Sequence, residues 1–314
     1  MLVAALLMDT SLGEVEHNLL AAKRLVTAAA KQGAELIVLP EFFNSCMGFD
    51  PKMLSVAHWD EHTLNTMTEL SQELSVVVCG SFLSFSGCDV KNRFAMVFPD
   101  RQTFFHCKDI PTQFENCYYI NGDENNILHT PLGDIGVALC WEMLRYDTAR
   151  RLANNVDFIV AGSCWWDLPE DAPPDSDRLR HYNRTLALNT PCDFAQLVGV
   201  PLIHAAHCSK IVAYHFPDTS HLECRQMVGA AQICDADGNA VARRSFTEGE
   251  GFVLHNISSG KNRRVTMQED KYWIADLPEV YTKAWERNNA LGRIYYQTVA
   301  APCYHKQRAK ESAT

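Results

Sequence analysis

A glutamate, a lysine and a cysteine, each standing directly after an apolar run, are the residues of this chain best placed to do chemistry. In Leu36-Ile-Val-Leu-Pro-Glu-Phe-Phe43 a proline ends the apolar run and leaves Glu41 between large apolar neighbours. Desolvation there would raise its carboxyl pKa toward the range of a proton shuttle; a solvated loop glutamate is the competing reading. Phe104-Phe-His-Cys-Lys-Asp109 places Lys108 after a second run, where its ammonium either enters the same space or is a plain surface charge. Gly136-Val-Ala-Leu-Cys-Trp-Glu-Met143 puts Cys140 where a buried strand ends and a helix soon begins, near backbone N–H donors that favour a thiolate. The chain holds twelve cysteines, so any one of them taken alone reads as a packing thiol. Together the three suit attack by sulfur on an electrophilic carbon, with a carboxylate to move the proton and a fixed positive charge beside it.

The elements that must position them alternate between short apolar runs and helix-periodic segments, which is the pattern of an α/β fold with crossover connections. Strands are expected at Leu2–Met8, Leu36–Leu39, Val76–Phe82, Phe94–Phe98, Thr103–Cys107, Ile135–Leu139, Phe158–Gly162, Leu202–Ala206 and Val228–Cys234. Helices are expected at Val15–Lys31, Glu61–Leu74, Tyr146–Asn154 and Arg180–Leu197, the last interrupted near Pro191. Trp165–Asp177, rich in proline and acids, reads as a surface loop, and Asp237-Gly238 as a hairpin turn. From about Gln268 the chain is polar but carries Tyr272, Trp273, Tyr281, Trp285, Tyr295 and Tyr296, too many aromatics for a free tail. Polar groups at strand ends are where open α/β sheets build their sites.

Leu39-Pro-Glu-Phe42, a post-strand Lys108 and Cys140-Trp-Glu142 occur in the order and approximate spacing of the nitrilase, or carbon–nitrogen hydrolase, superfamily, which the chain resembles. The likeness extends to Tyr119-Ile-Asn-Gly-Asp123 and to Gly229-Ala-Ala-Gln-Ile-Cys-Asp-Ala-Asp-Gly238. The resemblance implies a four-layer αββα sandwich, assembly into a homodimer or larger homo-oligomer, and a catalytic set of Glu41, Lys108 and Cys140 supported by Glu115. It implies an amidase-like hydrolase that cleaves an amide or N-carbamoyl bond through a cysteine thioester and needs no metal or organic cofactor. Nitrile hydrolysis by the same residues, or a non-catalytic binding role on the same fold, are the alternatives. The N–H of Trp141 would join Lys108 at the oxyanion, and Lys108 is expected to serve the site rather than the core. The Arg-Ala-x-Glu-Asn block of many members is absent from the aligned Ala195–Gly199, and Met143-Leu144-Arg145 is not the usual nitrilase continuation, so no branch is assigned. The chain then divides into a hydrolase domain over residues 1–267 and a tail over 268–314 that packs on the domain or on a partner subunit.

Further binding candidates are Trp165 and Trp166, which as plain core or interface aromatics would be equally ordinary, together with His181 and Arg145. Arg145 either binds a substrate carboxylate or pairs at the local helix start. His204, His207 and Cys208 raise the question of a metal, yet they close an apolar run with no second ligand cluster nearby, which favours packing. A net charge of −10 and a pI near 5.6 disfavour nucleic acid and anionic membranes. The apolar start, Met1 to Met8, lacks a basic leader and reads as a buried strand, giving a cytoplasmic expectation; no apolar run approaches the roughly 20 residues of a membrane helix.

Overall fold

Strand β1 (Leu2–Met8) sends alternate residues into two different cores, and this alternation sets the layering of the whole molecule. Ala4, Leu6 and Met8 join one apolar cluster, while Val3, Ala5 and Leu7 join another. The computed structural model describes residues 1–122, 125–258, 265–267 and 271–311, with residues 310 and 311 as backbone alone. Asp123 of the Tyr119–Asp123 block and the Gln268 boundary lie outside the described residues.

After β1 come α1 (Val15–Lys31), β2 (Leu36–Val38), α2 (Met53–Val56), α3 (Asp60–Leu74), β3 (Val77–Ser86), β4 (Asp89–Val97) and β5 (Thr103–Cys107). Next are β6 (Ile127–Thr130), β7 (Gly133–Leu139), α4 (Tyr146–Leu152), β8 (Phe158–Ser163), α5 (Asp177–Val198) and β9 (Leu202–His207). The remainder is β10 (Lys210–His215), β11 (Asp218–Gln226), β12 (Ala230–Cys234), β13 (Ala240–Ser245), β14 (Gly251–Asn256), α6 (Glu279–Tyr295) and α7 (Ala301–Glu311), with a π-turn at Tyr296–Ala300 between the last two.

One sheet runs β5-β4-β3-β2-β1 with β14 on the far side of β1; the other runs β6-β7-β8-β9 with β12 and β13 beyond. They join where the end of β1 pairs with β9, Leu7 opposite Ala206 and Met8 opposite His207. The layer between the sheets is apolar from both sides, with Leu36, Val38, Phe94 and Met96 facing Val137, Phe158, Val160 and Ile203. Helices α1 and α3 cover the first sheet through Leu19, Leu25, Met67 and Leu70. Helices α4 and α5 cover the second through Leu152, Phe194 and Val198. Three apolar layers thus separate four layers of structure, and the fold is an αββα sandwich.

One expectation about the chain's second half is revised. Helix α5 runs unbroken through Pro191, because burial of Ala187, Thr190 and Phe194 against the sheet offsets the one backbone bond that proline removes, while the Thr190 hydroxyl donates to the Leu186 carbonyl at 2.7 Å. The aromatic tail becomes helical and docks on the chain itself. Tyr296 and Tyr304 enter the cluster under α1 and α3, and Trp285 stacks on Trp141 with ring centres 5.4 Å apart and planes 5° apart. Trp273 and Tyr281 pack on the same indole at 5.7 and 6.2 Å. Trp285→Ala is expected to cost about 3–5 kcal/mol, as truncation of a buried large aromatic does. Urea unfolding checks this, and an unchanged midpoint would show that α6 is not seated here. Among the described residues, no helix is long and apolar enough to cross a membrane.

Candidate active site

Glu41, Lys108 and Cys140 each follow the carboxyl end of a strand, β2, β5 and β7 in turn, so the first sheet supplies the charged pair and the second supplies the thiol. All three are buried, the two charged residues completely. Lys108 Nζ lies 2.9 Å from Glu41 Oε1 and 2.8 Å from Glu115 Oε2, and it donates to Thr112 Oγ1 at 3.0 Å. The second glutamate inferred at position 115 therefore meets the lysine directly. Its carboxylate is fixed by the Thr112 N–H at 2.9 Å and by a very short bond from the Tyr119 hydroxyl. Glu41 is held by the Asn92 amide at 2.9 Å and by the backbone N–H of Cys164 at 3.2 Å.

Two glycines let backbone approach this pair closely. A Cβ on Gly162 would stand 2.7 Å from the Glu41 nitrogen, and one on Gly122 would stand 2.8 Å from the Lys108 carbonyl oxygen. Any larger residue would push one of the charged groups out of register.

Cys140 has φ 52, in the left-handed region that a residue with a Cβ occupies at a cost of roughly 1–3 kcal/mol. The 3-10 turn that it opens, Cys140–Leu144, is anchored from below by Glu142. That carboxylate accepts the N–H of Leu139 at 2.7 Å and of Asp109 at 2.9 Å, and lies 3.3 Å from His106 Nε2. Burial would raise the Glu142 pKa, yet His106, the Asp109 side chain and Arg145 outweigh it and hold the group far below the usual carboxylate range. Glu142 thereby ties the thiol turn to the end of β5 that carries Lys108.

The electrostatics follow from two buried acids around one buried base. Burial, opposed by Lys108 and reinforced by Glu115, lifts Glu41 to about 7. Burial alone would strip the Lys108 proton, but Glu115 and Glu41 outweigh it and keep the ammonium charged. Burial and the negative charge of Glu41 push the Cys140 thiol well above its ordinary value, against the pull of Lys108. At rest the sulfur therefore keeps its proton, and a carboxyl group that titrates near neutrality stands in the same pocket.

A family model described as carbon-nitrogen hydrolase matches residues 2–265. This chain belongs to the carbon–nitrogen hydrolase family. Among curated proteins it is similar to the N-carbamoylputrescine amidase of Solanum tuberosum, 25% identical over 219 residues, covering 64% of this chain and 72% of that protein. The Arabidopsis thaliana protein of that name is 24% identical over 219 residues, covering 64% of this chain and 73% of its own. The fold is shared with a carbon-nitrogen hydrolase from Helicobacter pylori G27, with TM-score 0.65, 19% identity and coverage of 81% and 88% of the two chains. It is shared also with a mutant amidase from Nesterenkonia sp. AN1, solved after Michael addition of acrylamide at its active site cysteine, with TM-score 0.64, 14% identity and coverage of 82% and 93%.

The other sequence candidates in this carbon–nitrogen hydrolase divide. Trp141 and Trp165 pack together at 6.1 Å within the aromatic cluster, and the Trp165 indole N–H donates to Asn183. Trp166 instead walls a cavity of about 650 Å³ between the β10–β11 hairpin and α6, with Phe114, Phe49 and Phe216. Arg145 forms a buried ion pair with Asp109, as befits a guanidinium desolvated beside a carboxylate. His181 is exposed on α5, while the adjoining Asn183 is the residue that reaches the cluster. His204 and His207 are both spent on hydrogen bonds, and among the described residues no group of three His, Cys, Asp or Glu side chains could hold a metal ion.

Sequence reasoning passed over Asn92, Thr112 and Tyr119. Thr112-Gln-Phe-Glu115 has the spacing of a capping box, and the structure forms one, so that signal was present. Asn92 lies on β4 and carried no local signal.

Proposed function

We propose that the chain is an amidase-type hydrolase that cleaves an amide or N-carbamoyl bond through a thioester on Cys140. The observation that carries this reading is the buried contact of Glu41 and Glu115 with one Lys108 ammonium beside a protonated thiol. Membership of the family and likeness to proteins named N-carbamoylputrescine amidase support it.

Glu41 takes the thiol proton as sulfur bonds to the carbonyl carbon. The charge that develops on the carbonyl oxygen meets Lys108 and the Trp141 backbone N–H, preorganised donors typically worth about 3 kcal/mol each at such a position. Glu41 then returns the proton to the nitrogen, the C–N bond breaks, and ammonia or an amine leaves. Water attacks the thioester carbon and gives a proton to Glu41, the C–S bond breaks to free the acid, and Glu41 returns that proton to the sulfur. One carboxyl group serves both halves because its pKa lies near neutrality, where acceptance and return of a proton are comparably easy.

Incubation with amides, N-carbamoyl amines and nitriles, read by ammonia release, tests the substrate class; turnover of nitriles alone would overturn it. The acid limb of kcat/KM is expected to have its midpoint at about pH 7, because the base works only when ionised and Glu41 titrates there. A rate already at its plateau by pH 5 would remove Glu41 as the base.

A further inference from the structure

We infer that Cys192 and Cys234 form a peroxide-responsive pair: Cys192 meets the oxidant, Cys234 closes a disulfide onto it, and the bond clamps α5 to β12. Both lie in the apolar cluster that packs α5 on the second sheet, whereas Cys140 belongs to a different one.

Cys192 stands on α5 and Cys234 ends β12, where the pairing with β13 shifts register between Ile233 and Cys234. Their sulfurs are 2.8 Å apart, inside the roughly 3.5–4.0 Å at which even carbon atoms make ordinary contact. Less than about 1 Å of movement brings them to the bonded separation of about 2.05 Å. The surroundings of Cys192 are built. Gln232 on β12 donates through Nε2 to the Leu188 carbonyl of α5 at 2.9 Å, and its Oε1 accepts from Arg243 Nε at 2.8 Å. That grip aims Arg243 Nη2 at the Cys192 sulfur, 3.7 Å away. A guanidinium keeps its charge, and a fixed cation beside sulfur favours the thiolate. The Cys234 S–H, and after it Arg243, outweigh burial and the nearby Asp193 and hold the Cys192 thiol below its ordinary value. The Cys192 sulfur and burial push the Cys234 thiol well above its own. The charge therefore sits on Cys192 and the proton on Cys234. Cys192 keeps 7% of its surface exposed and Cys234 none, so the charged sulfur is also the one that a small oxidant reaches.

Hydrogen peroxide is the one co-reactant needed. The Cys192 thiolate attacks one peroxide oxygen, the O–O bond breaks, and a sulfenic acid forms with release of hydroxide. The Cys234 sulfur then attacks the Cys192 sulfur, the S–O bond breaks, and a second hydroxide leaves. The first hydroxide takes up the proton that Cys192 had lost to solvent and the second takes the proton of Cys234, giving two waters. Two electrons pass from the sulfurs to the peroxide, and a dithiol reductant returns them. The bond joins residues 42 positions apart, and closing a loop of that length stabilises the folded chain by restricting the unfolded one.

The test treats the intact, fully reduced protein with hydrogen peroxide, blocks the remaining thiols with iodoacetamide and sequences the non-reduced peptides by mass spectrometry. A peptide pair joined through Cys192 and Cys234 is expected before any other cross-link, and dithiothreitol should separate it. The oxidised protein should melt about 5 °C higher than the reduced one. Cys234→Ser should show no such rise and should leave Cys192 as a sulfenic acid that dimedone traps. Arg243→Gln should slow bond formation about tenfold, as a thiol whose pKa rises by about one unit loses most of its thiolate. Arg243→Lys keeps a cation at that place and should restore most of the rate, which separates the charge from the packing. Three results would overturn the inference: Cys192 and Cys234 left unlinked while other thiols oxidise, a bond that forms as fast in Arg243→Gln as in the parent, or an oxidised protein that melts no higher than the reduced one.

Discussion

Cys140→Ser is expected to abolish hydrolysis, by on the order of 10⁴-fold or more, while melting within a few degrees of the parent. Oxygen is a poorer nucleophile than sulfur at this pH and its proton is harder to remove, so Glu41 at about 7 cannot do for a hydroxyl what it does for a thiol. The swap removes little volume and leaves the backbone at φ 52 unchanged. The companion variant is Glu41→Gln, which lacks the base for both halves of the reaction and should lose ammonia release as well; in the parent, an acyl adduct trapped by rapid quenching should sit on the peptide bearing Cys140. Ammonia release and intact mass are the readouts. Full activity in Cys140→Ser, or an adduct on Cys164 or Cys46 instead, would remove the nucleophile assignment.

Lys108→Ala has a double consequence, and here the structure corrects the view that this lysine serves the site alone. Its ammonium is completely buried between Glu41 and Glu115, so its removal leaves two carboxyl groups facing each other in an apolar pocket. Breaking a buried ionic arrangement from one side typically costs about 3–5 kcal/mol. Turnover should be lost and the melting temperature should fall. The sign of the pH dependence identifies the cause. Without the ammonium nothing opposes the burial that raises the Glu41 pKa above its unfolded value, so the variant is most stable below the ordinary carboxylate range and loses stability as pH rises toward neutrality. Lys108→Ala should therefore melt higher at pH 5 than at pH 8, whereas an equal loss at both would assign the defect to packing.

Much of this arrangement was legible in local sequence. Leu36–Glu41, Phe104–Lys108 and Gly136–Cys140 each pair an apolar strand with a polar residue at its end, and strands of this kind are specified by their own apolar runs. The site residues that escaped notice are those whose significance is set across the sheet rather than along the chain. Asn92 reaches Glu41 because β4 lies beside β3. The tail was read as aromatic without its helices, since α6 spreads its apolar residues among many charged ones and buries mainly Trp285, Asn289 and Gly292. Arg145 was open to two readings because a guanidinium after a strand has the same local signature whether it meets a substrate or Asp109.

The two sheets make unequal contributions, with Glu41 and Lys108 following strands of one and Cys140 a strand of the other. In the proposed mechanism the gap between Glu41 and Cys140 then follows the thickness of the apolar layer between the sheets, in which Val38, Phe94, Val137 and Val160 meet. Close packing makes such a layer nearly incompressible, so it works as a spacer gauge for the chemistry at its edge. If Glu41 and Cys140 exchange the proton as proposed, methyl groups of this layer calibrate the gap it crosses, and drift in the layer during evolution would retune the reaction without altering a single polar residue.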